Sequence, residues 1–284
     1  MSTSLPTLRA GDPVDGLYAC VRKDRLVSRS GSPYLAVELR DRGGTLPARA
    51  FRDADALAGR FERGDVVRVQ GVVERFRDTL QVDLRAIERT AADDPAAFLP
   101  AAYRDLEEVD GFLEHLAREV HDPQYRALLD GLLADRGLRA EWRRAPCSRS
   151  GHHAYLGGLL EHTVAVATLA VETAILHPRL NSDLLLTAAL VHDLGKTREF
   201  TYGADFGLTD EGRLLGHVTL GQRLLDARAG VLDAGRSVAL AHCVLTHHGA
   251  EAAPGRRFGS PEALALHRLN ALEAGVKGAL EHGL

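Results

Sequence analysis

The sequence predicts two domains of different class, an N-terminal all-β barrel and a larger all-α domain behind it. Three observations carry this. Residues 15–89 form short runs of alternating apolar and polar side chains broken by turn signals. From Leu106 onward, apolar residues recur at helical spacing instead. Between them Ala91–Ala102, with two prolines and many small residues, reads as a linker. The expected division is a barrel over 1–90, a linker over 91–105 and a helical domain over 106–284. A chain of 284 residues accommodates this, at ~150 residues per domain.

The barrel elements follow in order. Leu17–Arg22 is the first strand. Tyr34–Leu39 is the second, ending in Asp41-Arg42-Gly43-Gly44, a hairpin cue. Thr45–Phe51 is the third. Asp53–Phe61 reads as a short helix with Asp53 at its N-cap. Asp65–Phe76 is the longest strand, and Gly71 within it marks a bulge or a barrel corner. Leu80–Ile87 closes the series. Three strands, a helix and two strands in under 80 residues is the pattern of the OB-fold, which binds oligonucleotides or oligosaccharides. The helical domain is expected to contain Val109–Val120, Gln124–Ala134, Gly158–Leu176, Ser182–Leu194, Gly212–Ala229, Val231–Thr246 and Pro261–Leu280.

Composition narrows the function. Apolar residues are 45% and charged residues 26%, which excludes a disordered chain. No apolar run reaches the ~18 residues of a membrane helix, and Met1–Gly16 has no signal-like apolar stretch, so no membrane partner is expected. Three scattered cysteines, Cys20, Cys147 and Cys243, without a CxxC, argue against a disulfide framework or a cysteine zinc site and fit a reducing cytoplasm. The net charge is −4, but residues 1–90 carry +3 and the remainder −7. A mildly basic front and an acidic back point to two jobs.

All 13 histidines lie beyond residue 114. His192-Asp193 ends the apolar helix and is followed by Leu194-Gly195-Lys196. A carboxylate there is costly unless paired or bound to a metal. With His162 before it and His217 and His247-His248 after it, the series supplies the imidazoles and carboxylate that Mn, Fe, Zn or Ni accept.

His162 followed by His192-Asp193 resembles the HD superfamily of metal-dependent phosphohydrolases. Gly-His-His-Ala-Tyr-Leu-Gly-Gly-Leu-Leu-Glu-His-Thr at 151–163 is similar, more narrowly, to the YhaM family of 3′–5′ exoribonucleases. Ala145-Pro146, Leu215-Gly216-His217, Thr246-His247-His248-Gly249 and Gly259-Ser260-Pro261-Glu262-Ala263 with Leu266-His267 resemble that family in the same order. The resemblance implies an OB-fold followed by an all-α HD domain. It implies that His162, His192 and Asp193 hold one metal, and that Asp193 bridges to a second held by His217, His247 and His248. It implies that Lys196 contacts a phosphate oxygen or a water, and that the metal is Mn²⁺, with Fe or Co compatible with the ligands. It also implies assembly into homo-oligomers.

The family's ligand set ends with an Asp on the last long helix. Here Asn270 stands at that place, with Glu273 one turn on. An Asn carbonyl can ligate a hard cation but removes one negative charge, so Asn270 is expected to weaken the site unless Glu273 substitutes. His152, His153 and Arg149 are candidates for contacting substrate. Glu161 is the candidate for orienting a ligand histidine. His242 is expected behind the ligands and His267 in the core. On the barrel, Tyr34, Phe51, Phe76 and Tyr18 are the aromatics able to stack bases, and Arg22, Lys23, Arg49, Arg75 and Arg77 the cations able to follow a backbone. Arg75-Phe76-Arg77 is the best interleave, although Phe51 and Phe76 fit a barrel core equally.

The expectation is a cytoplasmic, metal-dependent 3′–5′ exonuclease acting on single-stranded RNA, with DNA as a second substrate, and releasing nucleoside monophosphates. The alternatives are a phosphohydrolase of small nucleotides and a nucleic-acid-binding protein whose catalysis Asn270 has weakened.

Overall fold

A computed structural model describes residues 4–28 and 31–283. The chain divides into two compact units. One comprises the chain up to Pro100 together with Thr201–Gly207, and the other Ala101–Phe200 and the chain from Leu208 on.

The first unit is a closed five-stranded barrel, β1 (Pro13–Val27), β2 (Pro33–Asp41), β3 (Gly44–Ala50), β4 (Val66–Phe76) and β5 (Thr79–Arg89), in the order β1-β2-β3-β5-β4. A single helix, α1 (Ala54–Ala58), lies between β3 and β4, which is the OB arrangement. β1 is far longer than Leu17–Arg22 because it serves two neighbours. Its first half pairs antiparallel with β4, from Pro13↔Val72 to Ala19↔Val66. Its second half pairs with β2, from Ala19↔Arg40 to Val27↔Pro33, with a register shift between Cys20 and Arg22. The shift lets one strand turn from one side of the barrel to the other. Gly71 sits at the β4 irregularity, where a Cβ would meet Asp83 O at 2.5 Å. β3 and β5 close the barrel through a short parallel pairing, Ala48↔Val82 and Arg49↔Asp83. Alternate residues, among them Val14, Leu35, Val37, Leu39, Val67, Val69, Val82 and Ile87, fill the interior, and Leu57 and Phe61 add to the same core. Asp53 does precede α1, but in the left-handed region (φ 52°), and its side chain makes no capping bond.

The second unit is helical: α2 (Leu106–Arg118), α3 (Pro123–Ala134), α4 (Arg136–Arg144), α5 (Gly158–Leu176), α6 (Ser182–Val191), α7 (Asp210–Asp226), α8 (Ala234–Thr246) and α9 (Pro261–His282). In the chain between α6 and α7 runs a hairpin of two three-residue strands, β6 (Phe200–Tyr202) and β7 (Phe206–Leu208), which the helical periodicity did not announce and whose residues Thr201–Gly207 group with the first unit. α6 is buried along nearly its whole length, and Leu185, Ala188, Ala189 and Val191 belong to the helical core with Leu159, Val166 and Ala167 of α5. α5 is long and apolar enough to cross a membrane by length and composition. Its first turns are nevertheless packed into this core and carry the buried Glu161 and His162. Asp122 caps α3 by accepting from the N–H groups of Gln124 and Tyr125, and Asn181 caps α6 by accepting from Leu184. α6 stops at Val191, three residues before the expected end, and the chain tightens into a 3₁₀ turn over Leu194–Arg198. That change of helix type places Asp193 at a corner.

Candidate metal centre

Four separate segments bring their side chains to the end of α6. His162 projects from α5, His192 and Asp193 follow α6, His217 lies on α7, and His247 and His248 follow α8. α7 is broken at Gly216 (φ 69°, ψ 161°), a conformation that glycine adopts without strain. The break immediately precedes His217.

Asp193 stands at the centre of two groups. One of its oxygens, Oδ2, lies 3.5 Å from His162 Nε2 and 3.4 Å from His192 Nε2. The other, Oδ1, lies 3.4 Å from both His217 Nε2 and His247 Nε2. His248 Nε2 is 2.9 Å from His217 Nε2. His162, His192 and Asp193 thus offer three ligand atoms to one point, and Asp193, His217, His247 and His248 offer four to another.

The hydrogen bonds on the far ring nitrogens leave these atoms free to ligate a cation. His192 Nδ1 donates to Ala189 O (2.9 Å) and His247 Nδ1 to Val244 O (2.5 Å). His162 Nδ1 donates to Glu273 Oε2 (2.5 Å). Each neutral ring then presents a lone pair at Nε2. His162 Nε2 and His192 Nε2 face each other at 3.2 Å, beside a carboxylate oxygen that is also an acceptor. Three converging lone pairs repel unless something positive lies between them. Among the described residues, His247 Nε2 and Asp193 Oδ1 are buried with no hydrogen-bond partner at all. Orphaned acceptors of this kind are costly unless a ligand completes them.

The electrostatics suit metal binding. Burial pushes the His162 and His247 imidazoles below their ordinary range and so favours the neutral, ligating form. Burial pushes Asp193 upward, but the Lys196 ammonium and the surrounding imidazoles outweigh it and hold the carboxyl well below the usual range. Lys196 is itself buried, donating to Asp193 Oδ2 at 2.7 Å and to Cys147 Sγ at 3.3 Å.

The groups that orient the histidines are mostly not those the sequence pointed to. Glu273 accepts from His162 Nδ1 and also from His153 Nε2 (2.8 Å). Burial raises its pKa, but these two hydrogen bonds dominate and bring it down to about 2. Glu273 therefore faces the far side of the His162 ring from Asp193. Glu161 accepts from Tyr155 Oη (2.6 Å), which lies 2.7 Å from His153 Nδ1, and so reaches Glu273 through Tyr155 and His153. Glu199 lies 3.3 Å from His217 Nδ1. No local pattern marks Glu199 or Glu273 for this role, since their partners lie 18 and 111 residues away along the chain.

Asn270 is buried on α9, and its side chain makes no hydrogen bond among the described residues. His152 is half-buried beside the centre, its ring 5.1 Å from that of His162. His153 is buried and serves Glu273, while Arg149 is exposed. His242 Nε2 accepts from Gly259 N (2.8 Å), and His267 Nδ1 lies 3.0 Å from His247 O.

On the barrel, Tyr34 and Phe51 are stacked with ring centroids 5.2 Å apart, and Phe51 and Phe76 are exposed rather than core. Arg75 and Arg77 are exposed, the Arg77 guanidinium lying 5.2 Å from the Phe76 ring. Tyr18 does not belong with them. It points into the barrel and is 3% exposed, so it cannot stack on a base. Lys23 is engaged with Phe61 O and Glu62, and Arg49 with Val37 O and Ala48 O.

Comparison with known proteins agrees with both halves. Residues 159–275 match the HD domain, and residues 20–89 match an OB-fold nucleic acid binding domain. Proteins named 3′–5′ exoribonuclease YhaM are similar over nearly the whole chain. That of Shouchella clausii (strain KSM-K16) is 28% identical over 283 residues, covering 94% of this chain and 85% of the relative. That of Bacillus subtilis (strain 168) is 28% identical over 288 residues, covering 96% and 88%. That of Listeria monocytogenes (serovar 1/2a, strain EGD-e) is 26% identical over 287 residues, covering 97% and 90%.

Proposed function

Starting from a chain homologous to the YhaM 3′–5′ exoribonucleases and built as an OB-fold plus an HD domain, we propose that it is a divalent-metal-dependent 3′–5′ exonuclease of single-stranded RNA. Single-stranded DNA is the second substrate, and the products are nucleoside monophosphates. The observation that carries the metal dependence is the pair of lone-pair clusters divided between the two oxygens of Asp193. His162, His192 and Asp193 would hold one cation, and Asp193, His217, His247 and His248 the other, with Mn²⁺ the cation the resemblance favours. Divalent cations held there would supply water activation and charge stabilisation for phosphodiester hydrolysis.

The protein's own contribution is positional. Ala189 O, Val244 O, Glu273 and Glu199 hold the imidazoles so that Nε2 faces the centre. Lys196 keeps Asp193 ionised, and its ammonium would meet a phosphate oxygen or a water. Asn270 lowers the negative charge available to the cations relative to an Asp. The barrel supplies affinity for the strand through Tyr34, Phe51 and Phe76, with Arg75 and Arg77 contacting the backbone. His152, His153 and Arg149 lie on the segment before α5, and of these His152 is best placed to meet a terminal nucleotide. A cytoplasmic location and homo-oligomeric assembly complete the reading.

The test is 5′-labelled single-stranded RNA incubated with wild type and Asp193→Ala, with and without Mn²⁺. The expected result is a Mn²⁺-dependent ladder shortening from the 3′ end, absent in Asp193→Ala. Full activity in Asp193→Ala would sink the two-metal centre. Mononucleotides turned over faster than oligonucleotides would move the substrate to small nucleotides.

A further inference from the structure

Cys147 has no part in the hydrolytic scheme, yet it lies against it. The thiol is 1% exposed, and its Sγ stands 3.3 Å from His152 Nε2 and 3.8 Å from Asp193 Oδ2. Cys147 Sγ, His152 and His162 place one ligand atom each within 4.8 Å of one another. His162 Nδ1 is committed to Glu273, so Nε2 is the atom it has to offer.

The spacing fits a specific class of ion. Zinc–thiolate and zinc–imidazole bonds of about 2.3 and 2.0–2.1 Å at a tetrahedral angle put sulfur and nitrogen about 3.6 Å apart. The 3.3 Å between Cys147 Sγ and His152 Nε2 is close to that separation. The segment that carries both residues is braced: Cys147 N donates to His153 O (3.0 Å), Ser148 Oγ to His152 O (2.8 Å) and Gly151 N to Ser148 Oγ (2.8 Å). Lys196 Nζ donates to Cys147 Sγ, a contact that strengthens when the sulfur becomes thiolate. Of the three residues only His152 is half-buried, Cys147 and His162 being buried. Thiolate and imidazole together select soft or borderline cations over Mn²⁺ and Mg²⁺.

We propose that Cys147, His152 and His162 form a third cation site, selective for Zn²⁺, with Asp193 Oδ2 beside it as a fourth donor. Binding releases the thiol proton to solvent. Since His162 Nε2 cannot serve two ions at once, Zn²⁺ here removes a ligand from the proposed first hydrolytic cation and inhibits the enzyme. The inhibitory consequence rests on the exonuclease reading; the occupancy of the site does not.

Two measurements on the full-length chain test this separately. Metal-freed protein titrated with Co²⁺ should develop a thiolate-to-cobalt charge-transfer band that Cys147→Ser lacks and that Cys20→Ser and Cys243→Ser retain. In Mn²⁺-supported RNA cleavage, Zn²⁺ should inhibit Cys147→Ser at a concentration about tenfold or more above that for wild type, the order of change that ligand support makes to metal affinity. If Cys147→Ser does not fold, His152→Ala should show the same weakening of the cobalt band. Bound cobalt without a thiolate band in wild type, or equal zinc sensitivity of wild type and Cys147→Ser, overturns the site. Failure of wild type to cleave RNA with Mn²⁺ overturns the exonuclease reading instead and leaves the cobalt result to decide the site.

Discussion

At the scale of single residues, two positions on α9 separate ligand charge from ligand orientation. Glu273 accepts from His162 Nδ1 and so fixes which nitrogen of that ring faces Asp193. Glu273→Gln keeps the shape but weakens the acceptor, and metal affinity should fall about 10–100-fold, as read by Mn²⁺ titration of apo protein. Asn270→Asp adds a negative charge one turn away, so affinity should rise in the same titration and the cleavage rate with it. If Asn270→Asp changes neither, Asn270 is not facing the cations. The His162–Glu273 partnership spans 111 residues. No local pattern in either segment identifies it, which is why Glu161, adjacent in sequence, was the more visible candidate.

At the scale of elements, the precision of the centre depends on close backbone packing. A Cβ on Gly195 would collide with His217 O and Gly221 N of α7. Gly195→Ala should therefore destabilise the helical unit by about 1–3 kcal/mol through overpacking and displace His217, seen as a lower denaturation midpoint with weaker metal binding. Asp122 supports a different joint. It caps α3 and pairs with Arg236 of α8, while Asp183 at the start of α6 accepts from the His121 and Asp122 N–H groups. The hydrogen bond from Arg236 is the chief reason its pKa lies below the usual carboxylate value, with burial opposing and the α3 N–H groups assisting. A depressed native pKa means that this stabilisation is present above the unfolded-state value of about 3.9 and is lost as pH falls through the lower native value. Asp122→Ala should cost about 1 kcal/mol from the cap alone, measured by urea unfolding at neutral pH, with the difference from wild type shrinking under acid conditions. Periodicity located most of these elements. It passed over α4, where only Leu138 and Trp142 are buried along nine residues, too few to write a stripe. It also ran α6 on to Leu194, because apolar content alone does not show where an α-helix tightens to 3₁₀.

At the scale of the whole molecule, two chemistries share one chain. The barrel surface carries exposed aromatics and arginines, whereas the helical unit gathers imidazoles around an ionised carboxylate, with burial pushing those of His162 and His247 toward the neutral form. Binding and cleavage should therefore be separable by mutation. Phe76→Ala should weaken single-stranded RNA binding by about 1–3 kcal/mol while leaving Mn²⁺ affinity unchanged. Arg75→Ala should reduce the salt dependence of binding by about 0.7 in the log–log slope if it contacts one phosphate. Fluorescence anisotropy across a salt series reads both, and an unchanged slope in Arg75→Ala would remove that residue from the interface.

Much of this protein was written locally. Period-2 alternation followed by helical spacing set the two fold classes and their order, since side-chain direction in strand and helix repeats every few residues. The residue types at 162, 192–193, 217 and 247–248 announced metal chemistry because imidazole and carboxylate are metal ligands whatever their surroundings. Other properties arose only once distant segments met. Which aromatics are exposed depended on barrel closure, which buried Tyr18 and left Phe51 and Phe76 outside. Which histidine nitrogen carries the proton depended on a carbonyl or carboxylate that tertiary packing brought to it. Cys147 became a candidate ligand only through His152 beside it and the distant His162, Asp193 and Lys196. Burial, tautomer and charge belong to the three-dimensional environment of a group, and a periodic pattern of side chains carries no record of them.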